Sequence, residues 1–257
     1  MNKFEKHITI TAENSTAIQA LSDHCMLSIT ELKQAMSKGA LWLSRGKVTQ
    51  RLRRVKKSLK VTDELHFYYD PQVLNQEPKK ASLIADLVDY SVWFKPYGML
   101  SQGSKWSDHC TIGRWAQNNL SPERSTFIVH RLDRAATGII LIAHSKKAAR
   151  ALSEMFEKHQ LEKHYNIIVH GDFSQREQSE VIETPIDNKA ARSTFTHLNY
   201  QENSNTSLIQ VKIDSGRKHQ IRKHAASINF PVVGDRLHGD KTRTYSEMTN
   251  LQLCAVS

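Results

Sequence analysis

The 257 residues are 39% hydrophobic and 24% charged, with 10 glycines and 6 prolines; this is the composition of a folded chain long enough for one large domain or two, and it excludes a fibrous or disordered protein. The longest apolar run, Ile139 to Ala143, falls far short of the ~20 residues that cross a bilayer, and no apolar stretch follows the charges at the start, so a cytoplasmic chain without membrane span or secretory leader is expected. Cys25, Cys110, Cys254 and the 13 histidines show neither a disulfide framework nor a metal-ligand spacing, so no metal is expected, and the formal charge of +10 points to a polyanionic partner.

In chain order, Ile29, Leu32, Ala35 and Met36 recur at helical spacing before Gly39, which predicts a short helix. Leu41 and Leu43 alternate across Trp42, and Leu65 to Tyr69 alternates likewise, so both segments are predicted strands. Around them Lys38, Arg45, Lys47, Arg51, Arg53, Arg54, Lys56, Lys57 and Lys60 stand without an acid and supply nearly all of the net charge. Leu41, Trp42, Leu43, Val48, Leu52, Val55 and Leu59 interleave with them, so the window is a folded basic face and not a tail. Such a face binds a polyanion by releasing its counterions, or is simply a solvated face. We take Arg45, Lys47, Arg51, Arg53, Arg54, Lys56 and Lys57 as candidate nucleic-acid contacts. Residues 15–70 resemble the small RNA-binding domain known as the S-four domain, with Ser44-Arg45-Gly46-Lys47 where that domain's hairpin usually closes on asparagine-glycine.

Asp70 to Ser82 has two prolines and no apolar periodicity and reads as a linker. The expected division is therefore a small α+β domain at 1–75, a connection at 76–82 and a second domain at 83–257. In the second, Tyr90 to Phe94 is a predicted strand that stops at the turn Lys95-Pro96-Tyr97-Gly98. Thr126–Val129 and Gly138–Ala143 are predicted strands, followed by a helix with Ala148, Leu152, Met155 and Phe156 on one face. Lys163 to Gly171 is a strand with Lys163, Tyr165, Ile167 and Val169 on one face, and Ile221, Ala225 and Ile228 mark a helix between Ser215-Gly216-Arg217 and Phe230-Pro231. With neither a regular βαβ rhythm nor a glycine-rich phosphate loop, the fold class is α+β, mixed.

Asp133 lies in a polar segment between two predicted strands, flanked by Arg131 and Arg134. A carboxylate so placed is either a nucleophile kept ionised by its neighbours or a salt bridge within a turn, and the second arrangement is the commoner. His130-Arg131-Leu132-Asp133 departs from the protein-kinase catalytic loop, because Leu132 intervenes before the aspartate and Gly138 stands five residues beyond it.

Four segments in order carry a more specific signal. They are Phe94-Lys95-Pro96-Tyr97-Gly98; His130 to Arg134 with Thr137-Gly138; Lys163-His164-Tyr165 leading to Gly171; and Gly216-Arg217-Lys218-His219-Gln220-Ile221-Arg222 followed by Pro231 and Gly234-Asp235. Together, across residues 90–240, they resemble the RluA family of pseudouridine synthases. The resemblance implies a catalytic domain on a mixed, mostly antiparallel sheet flanked by helices and loops. It implies conversion of uridine to pseudouridine in a structured RNA without a cofactor, the uracil being detached from its ribose, turned and rejoined through a ring carbon. Asp133 is then the nucleophile, attacking the sugar or the uracil ring. Tyr165 contacts the base, Arg222 pairs with Asp133 and Ile221 walls the uracil pocket. Arg217 and His219 meet a phosphate, Lys95 is a further substrate contact, and Arg131 fills the gap left by a flipped nucleotide. Tyr165 is otherwise a strand core residue, and Arg217 and His219 are otherwise surface residues at a helix end.

A docking domain ahead of the synthase domain makes ribosomal RNA the expected substrate over transfer RNA, for a protein acting as a monomer. The competing reading is a non-catalytic RNA-binding or ribosome-assembly protein that keeps the fold. Two departures accompany the resemblance: Ala135-Ala136 stands where relatives carry a polar pair, and Leu251 to Ala255 is similar to the penultimate strand with Cys254 for a common histidine. No closing strand follows before Ser257, so an incomplete sheet is expected.

Overall fold

Two reciprocal caps set the first helices. In the computed structural model, which describes residues 2–13, 15–239 and 249–257, Thr16 opens α1 (Ala17–His24) and Ser28 opens α2 (Ile29–Ser37). Each hydroxyl accepts from the amide three residues on, while Gln19 and Glu31 accept from the cap amides. A cap of this kind contributes about 1 kcal/mol. Leu21, Leu32 and Met36 are fully buried against an antiparallel sheet of β1 (Phe4–Thr9), β2 (Leu41–Arg45), β3 (Val48–Arg51) and β4 (Glu64–Tyr69), ordered β1-β4-β2-β3. The alternation seen in the sequence decides the buried face, on which Leu41, Leu43, Leu65 and Phe67 point into the core. Gly46, at φ +59°, and Lys47 form the tip of the β2–β3 hairpin, where Arg45 pairs with Val48.

The chain divides into two compact units, Met1–Pro78 with Gln102–Trp115 and Lys79–Ser101 with Ala116–Ser257. The excursion Gln102–Trp115 differs from an expected second domain running unbroken from residue 83. Within the first unit it supplies Asp108, which pairs with both Arg51 and Arg53, while the Asp108 amide donates to the Lys38 carbonyl at 3.3 Å. The stretch read as a linker is also partly structured. Asp70 caps the short helix α3 (Pro71–Leu74), and β5 (Ser82–Asp86) begins where the linker was expected to end.

In the second unit β5 pairs with β6 (Tyr90–Lys95), and the helix α4 (Ile112–Asn119) straddles the division between the units. β7 (Phe127–Ile128) is shorter than the strand expected over Thr126–Val129. β8 (Thr137–Ala143), α5 (Lys146–Glu157) and β9 (His164–His170) follow as the periodicity predicts. β10 (Ser179–Ile182), β11 (Ser193–Gln201) and β12 (Thr206–Ile213) then extend the sheet before α6 (Gln220–Ser227) and β13 (Leu253–Ala255). The described strands form one sheet ordered β10-β11-β12-β9-β13-β8-β6-β5, with β7 on β8, and every pairing except β13 with β8 is antiparallel. β13 is an interior strand that joins β8 to β9 and makes the sheet continuous between them.

That closure depends on Gly138. It lies at φ +111°, and a β-carbon placed there would collide with the backbone nitrogen and oxygen of Ala255 in β13. Neither the backbone conformation nor the space admits a side chain. Gly138→Ala is therefore expected to cost more than about 2 kcal/mol in urea unfolding, since neither strand can move without breaking its ladder; an unchanged midpoint would contradict this account of the junction.

Candidate active site

The loop between β7 and β8 is pinned from three sides. His130 accepts a hydrogen bond from the Leu141 amide through Nε2 at 2.9 Å, with its ring stacked on Phe156 at 4.6 Å. Burial, helped by Lys163, lowers its pKa to about 4, so the ring is a neutral acceptor at ordinary pH. The Leu132 amide donates to Ser101 Oγ at 3.0 Å, and that hydroxyl donates back to the Leu132 carbonyl at 2.7 Å. Lys95, expected to touch substrate, does something else. It is wholly buried, and its ammonium donates to the carbonyls of Ala136 at 2.6 Å, Met99 at 2.9 Å and Pro96 at 3.2 Å. It thus ties the turn after β6 to the end of the loop. Burial lowers its pKa to about 8, partly opposed by Asp133. The Gly98 amide adds a bond to the Arg134 carbonyl at 2.9 Å.

Fixed in this way, Asp133 projects into an open cleft with its side chain 32% exposed. Of the other expected residues, Arg131, Tyr165, Arg217, His219, Ile221 and Arg222 all line the same cleft. Strand alternation delivers Tyr165, which lies between Val211 of β12 and Ala255 of β13 on the face that buries Ile167 and Val169. Burial, reinforced by the charge of Asp133, raises its phenol to about 12, so it meets a substrate as a neutral hydroxyl and an apolar ring. Leu132, Ile213 and Leu253 join Ile221 as apolar wall.

α6 delivers the cationic side. Its N-cap, His219, has φ +56°, a left-handed conformation rare outside glycine. Three residues on, Arg222 is anchored by Asp235, with Nε to Oδ2 at 2.8 Å and Nη2 to Oδ1 at 2.6 Å. Its free Nη1 then reaches Asp133 Oδ2 at 3.3 Å. Burial opposes the charge on Arg222, but Asp235 and Asp133 more than offset it and its pKa is raised. Asp235 is buried too, yet the guanidinium and the amides of His238 and Leu237 hold its carboxyl below the usual range. Asp235 stands in the fourth motif, but nothing in a one-dimensional string shows which acid anchors an arginine. His219 Nε2 lies 3.7 Å from Asp133 Oδ2, and Arg217 donates through Nε to the Ala190 carbonyl at 3.0 Å. Among the described lining residues Asp133 is the sole carboxylate, so the paired acids of a glycosidase are absent from this cleft.

The expected basic contacts separate into two groups. Arg45 makes a fork on the buried Asp63, at 2.8 and 2.6 Å, and Arg51 and Arg53 are spent on Asp108. These three are paired with acids inside the first unit. Lys47, Arg54, Lys56 and Lys57 are exposed.

Residues 89–227 match the family model described as RNA pseudouridylate synthase. The chain is 35% identical over 136 residues to "tRNA pseudouridine synthase C" of Pectobacterium carotovorum subsp. carotovorum, covering 44% of this chain and 36% of that protein's length. It is 28% identical over 233 residues to an "Uncharacterized RNA pseudouridine synthase" of Aquifex aeolicus, covering 82% of this chain and 72% of that one. The solved structure of "Human RNA Pseudouridylate Synthase Domain Containing 1" shares the fold, with a TM-score of 0.58 at 20% identity over 70% of this chain and 79% of that one.

The two carboxylates on Arg222 differ in burial, with side-chain exposures of 1% for Asp235 and 32% for Asp133. Asp235→Asn leaves a buried guanidinium underpaired and is expected to cost about 3 kcal/mol in urea unfolding, whereas Asp133→Asn should cost less than about 1 kcal/mol. Equal costs would mean that Arg222 is not anchored from the Asp235 side.

Proposed function

Because the chain belongs to the RNA pseudouridylate synthase family, of the RluA type, we propose that it isomerises uridine to pseudouridine in RNA, with Asp133 as the catalytic carboxylate. The supporting observation is the Asp235–Arg222–Asp133 arrangement, which aims one carboxylate at apolar walls fit for a uracil ring. The reaction breaks the bond from the ribose anomeric carbon to N1 and makes one to C5. The product keeps every atom of the substrate, with C5 losing a proton and N1 bearing one. A single nucleophile suffices for this, since no water has to be activated. On this reading Tyr165 and Ile221 hold the ring from either side, and Arg131, Arg217 and His219 meet the backbone of a nucleotide flipped from its stack.

For the RNA class, the name of the Pectobacterium relative makes transfer RNA the first to test. The ribosomal RNA expected from the docking domain is the second arm. The experiment is mass-spectrometric counting of pseudouridine after incubation with unmodified transfer RNA and, separately, ribosomal RNA. The wild type should convert uridine in one of them and Asp133→Asn in neither. Conversion that persists in Asp133→Asn rejects Asp133, and a wild type inert on both but able to bind them favours the non-catalytic RNA-binding reading.

RNA docking on the first unit falls to the exposed cations Lys47, Arg54, Lys56 and Lys57. Neutralising them should weaken binding, and each lost phosphate contact should reduce the slope of log affinity against log salt by about 0.7–0.9. Arg51→Gln and Arg53→Gln should chiefly lower the melting temperature. A salt slope insensitive to the exposed set would return it to a solvated face.

A further inference from the structure

The one catalytic carboxylate in this cleft has two polar neighbours, and the second is itself held by a residue outside the four segments. His219 Nδ1 lies 2.8 Å from His238 Nε2, their rings edge-on at 67° with centroids 5.0 Å apart, while His219 Nε2 faces Asp133 Oδ2 at 3.7 Å. His238 is fixed in turn, because its backbone amide donates to Asp235 Oδ1 at 3.0 Å, the oxygen that also takes Arg222 Nη2.

The contact between the rings has two possible protons. If His219 Nδ1 donates, His238 accepts and a bare Nε2 lone pair is turned toward the carboxylate of Asp133. If His238 Nε2 donates, His219 accepts on Nδ1 and must carry its proton on Nε2, aimed at Asp133. Only the second arrangement is attractive along the whole chain. We propose that His238 is a positioning residue which, by donating to His219 Nδ1, holds His219 in the tautomer that presents an N–H to Asp133.

The groups facing the pair are consistent with two neutral rings. For His219, burial is the main influence, and Arg222 and Lys218 add to it against Asp133 and Asp235. For His238, burial again leads, joined by Arg222, His219 and Lys223 and opposed by Asp235. Both therefore titrate below the ordinary histidine range, and near neutral pH the proton between them is a matter of tautomer and not of charge. Asp235 thereby governs both arms that reach Asp133, one through Arg222 and the other through His238 and His219.

The inference rests on Asp133 being the catalytic carboxylate, and its test separates the two ideas. Gln at 238 keeps an N–H near the position of Nε2, whereas Met is of similar size and donates nothing. In the full-length protein His238→Gln should stay within about threefold of wild-type kcat, and His238→Met should lose at least about tenfold with KM within about twofold. Equal kcat in the two variants would overturn the proposal. Nitrogen-15 histidine spectra of the resting protein decide it without any turnover: His219 should be protonated on Nε2 in wild type and His238→Gln, with Nδ1–H appearing in His238→Met. A wild-type His219 protonated on Nδ1 would reject the relay even in an active enzyme. The expected tautomer in a protein that converts no uridine would uphold the relay while the catalytic reading fails.

Discussion

A guanidinium held from one side so that its other side is aimed is the constraint on which the cleft depends. Arg222 is nearly out of water, and Asp235 meets it with two parallel bonds at 2.8 and 2.6 Å. That fork fixes the plane of the group, which a lysine in the same place would leave undefined. Only Nη1 remains for Asp133, at 3.3 Å. Burying two charges is unfavourable until every donor and acceptor is used, and here the amides of Leu237 and His238 use the remaining capacity of Asp235. The pair therefore secures geometry more than stability.

The opposite wall is built to be just as stiff. Three backbone carbonyls converge on the ammonium of Lys95, which sits in the second unit's core where an uncharged side chain would leave them without donors. His130 is kept neutral by burial and serves as acceptor to β8, and Ser101 bonds both backbone groups of Leu132. These contacts come from residues on either side of Asp133 in the chain. The loop that carries it is therefore over-determined, which fixes where its carboxylate points.

Much of this was readable from the string, for a physical reason. Tyr165, Ile167 and Val169 share a face because strand side chains alternate, and that periodicity is local. Ile221, Ala225 and the stop at Phe230-Pro231 mark α6 in the same local way. Partnership is not local. The basic window contains no acid of its own, yet Arg45 is matched by Asp63 and Arg51 and Arg53 by Asp108, so counting charge along the chain overstated the free cations. The excursion Gln102–Trp115 is defined by those same distant pairings and leaves no compositional mark. The turn motif puts Lys95 beside the substrate only by resemblance; its burial, which decides its task, is a property of the folded sheet alone. The interior position of β13 was equally hidden, since three residues carry no record of the strands on either side of them.

The cleft also narrows which group moves the ring proton on the proposed reaction. Tyr165, with a phenol pushed up to about 12, is no base at neutral pH. Arg222 stays charged, and the pyridine-type nitrogen of His219 is turned toward His238 when its N–H faces Asp133. Among the described lining residues that leaves Asp133 itself, which on the proposed reaction acts first as nucleophile and, once released, as the acceptor of the proton from C5. A carboxylate used twice in one turnover must return to the same place between the two steps. Arg222 and the pinned loop provide for that position, which is why so much of the fold converges on a single side chain.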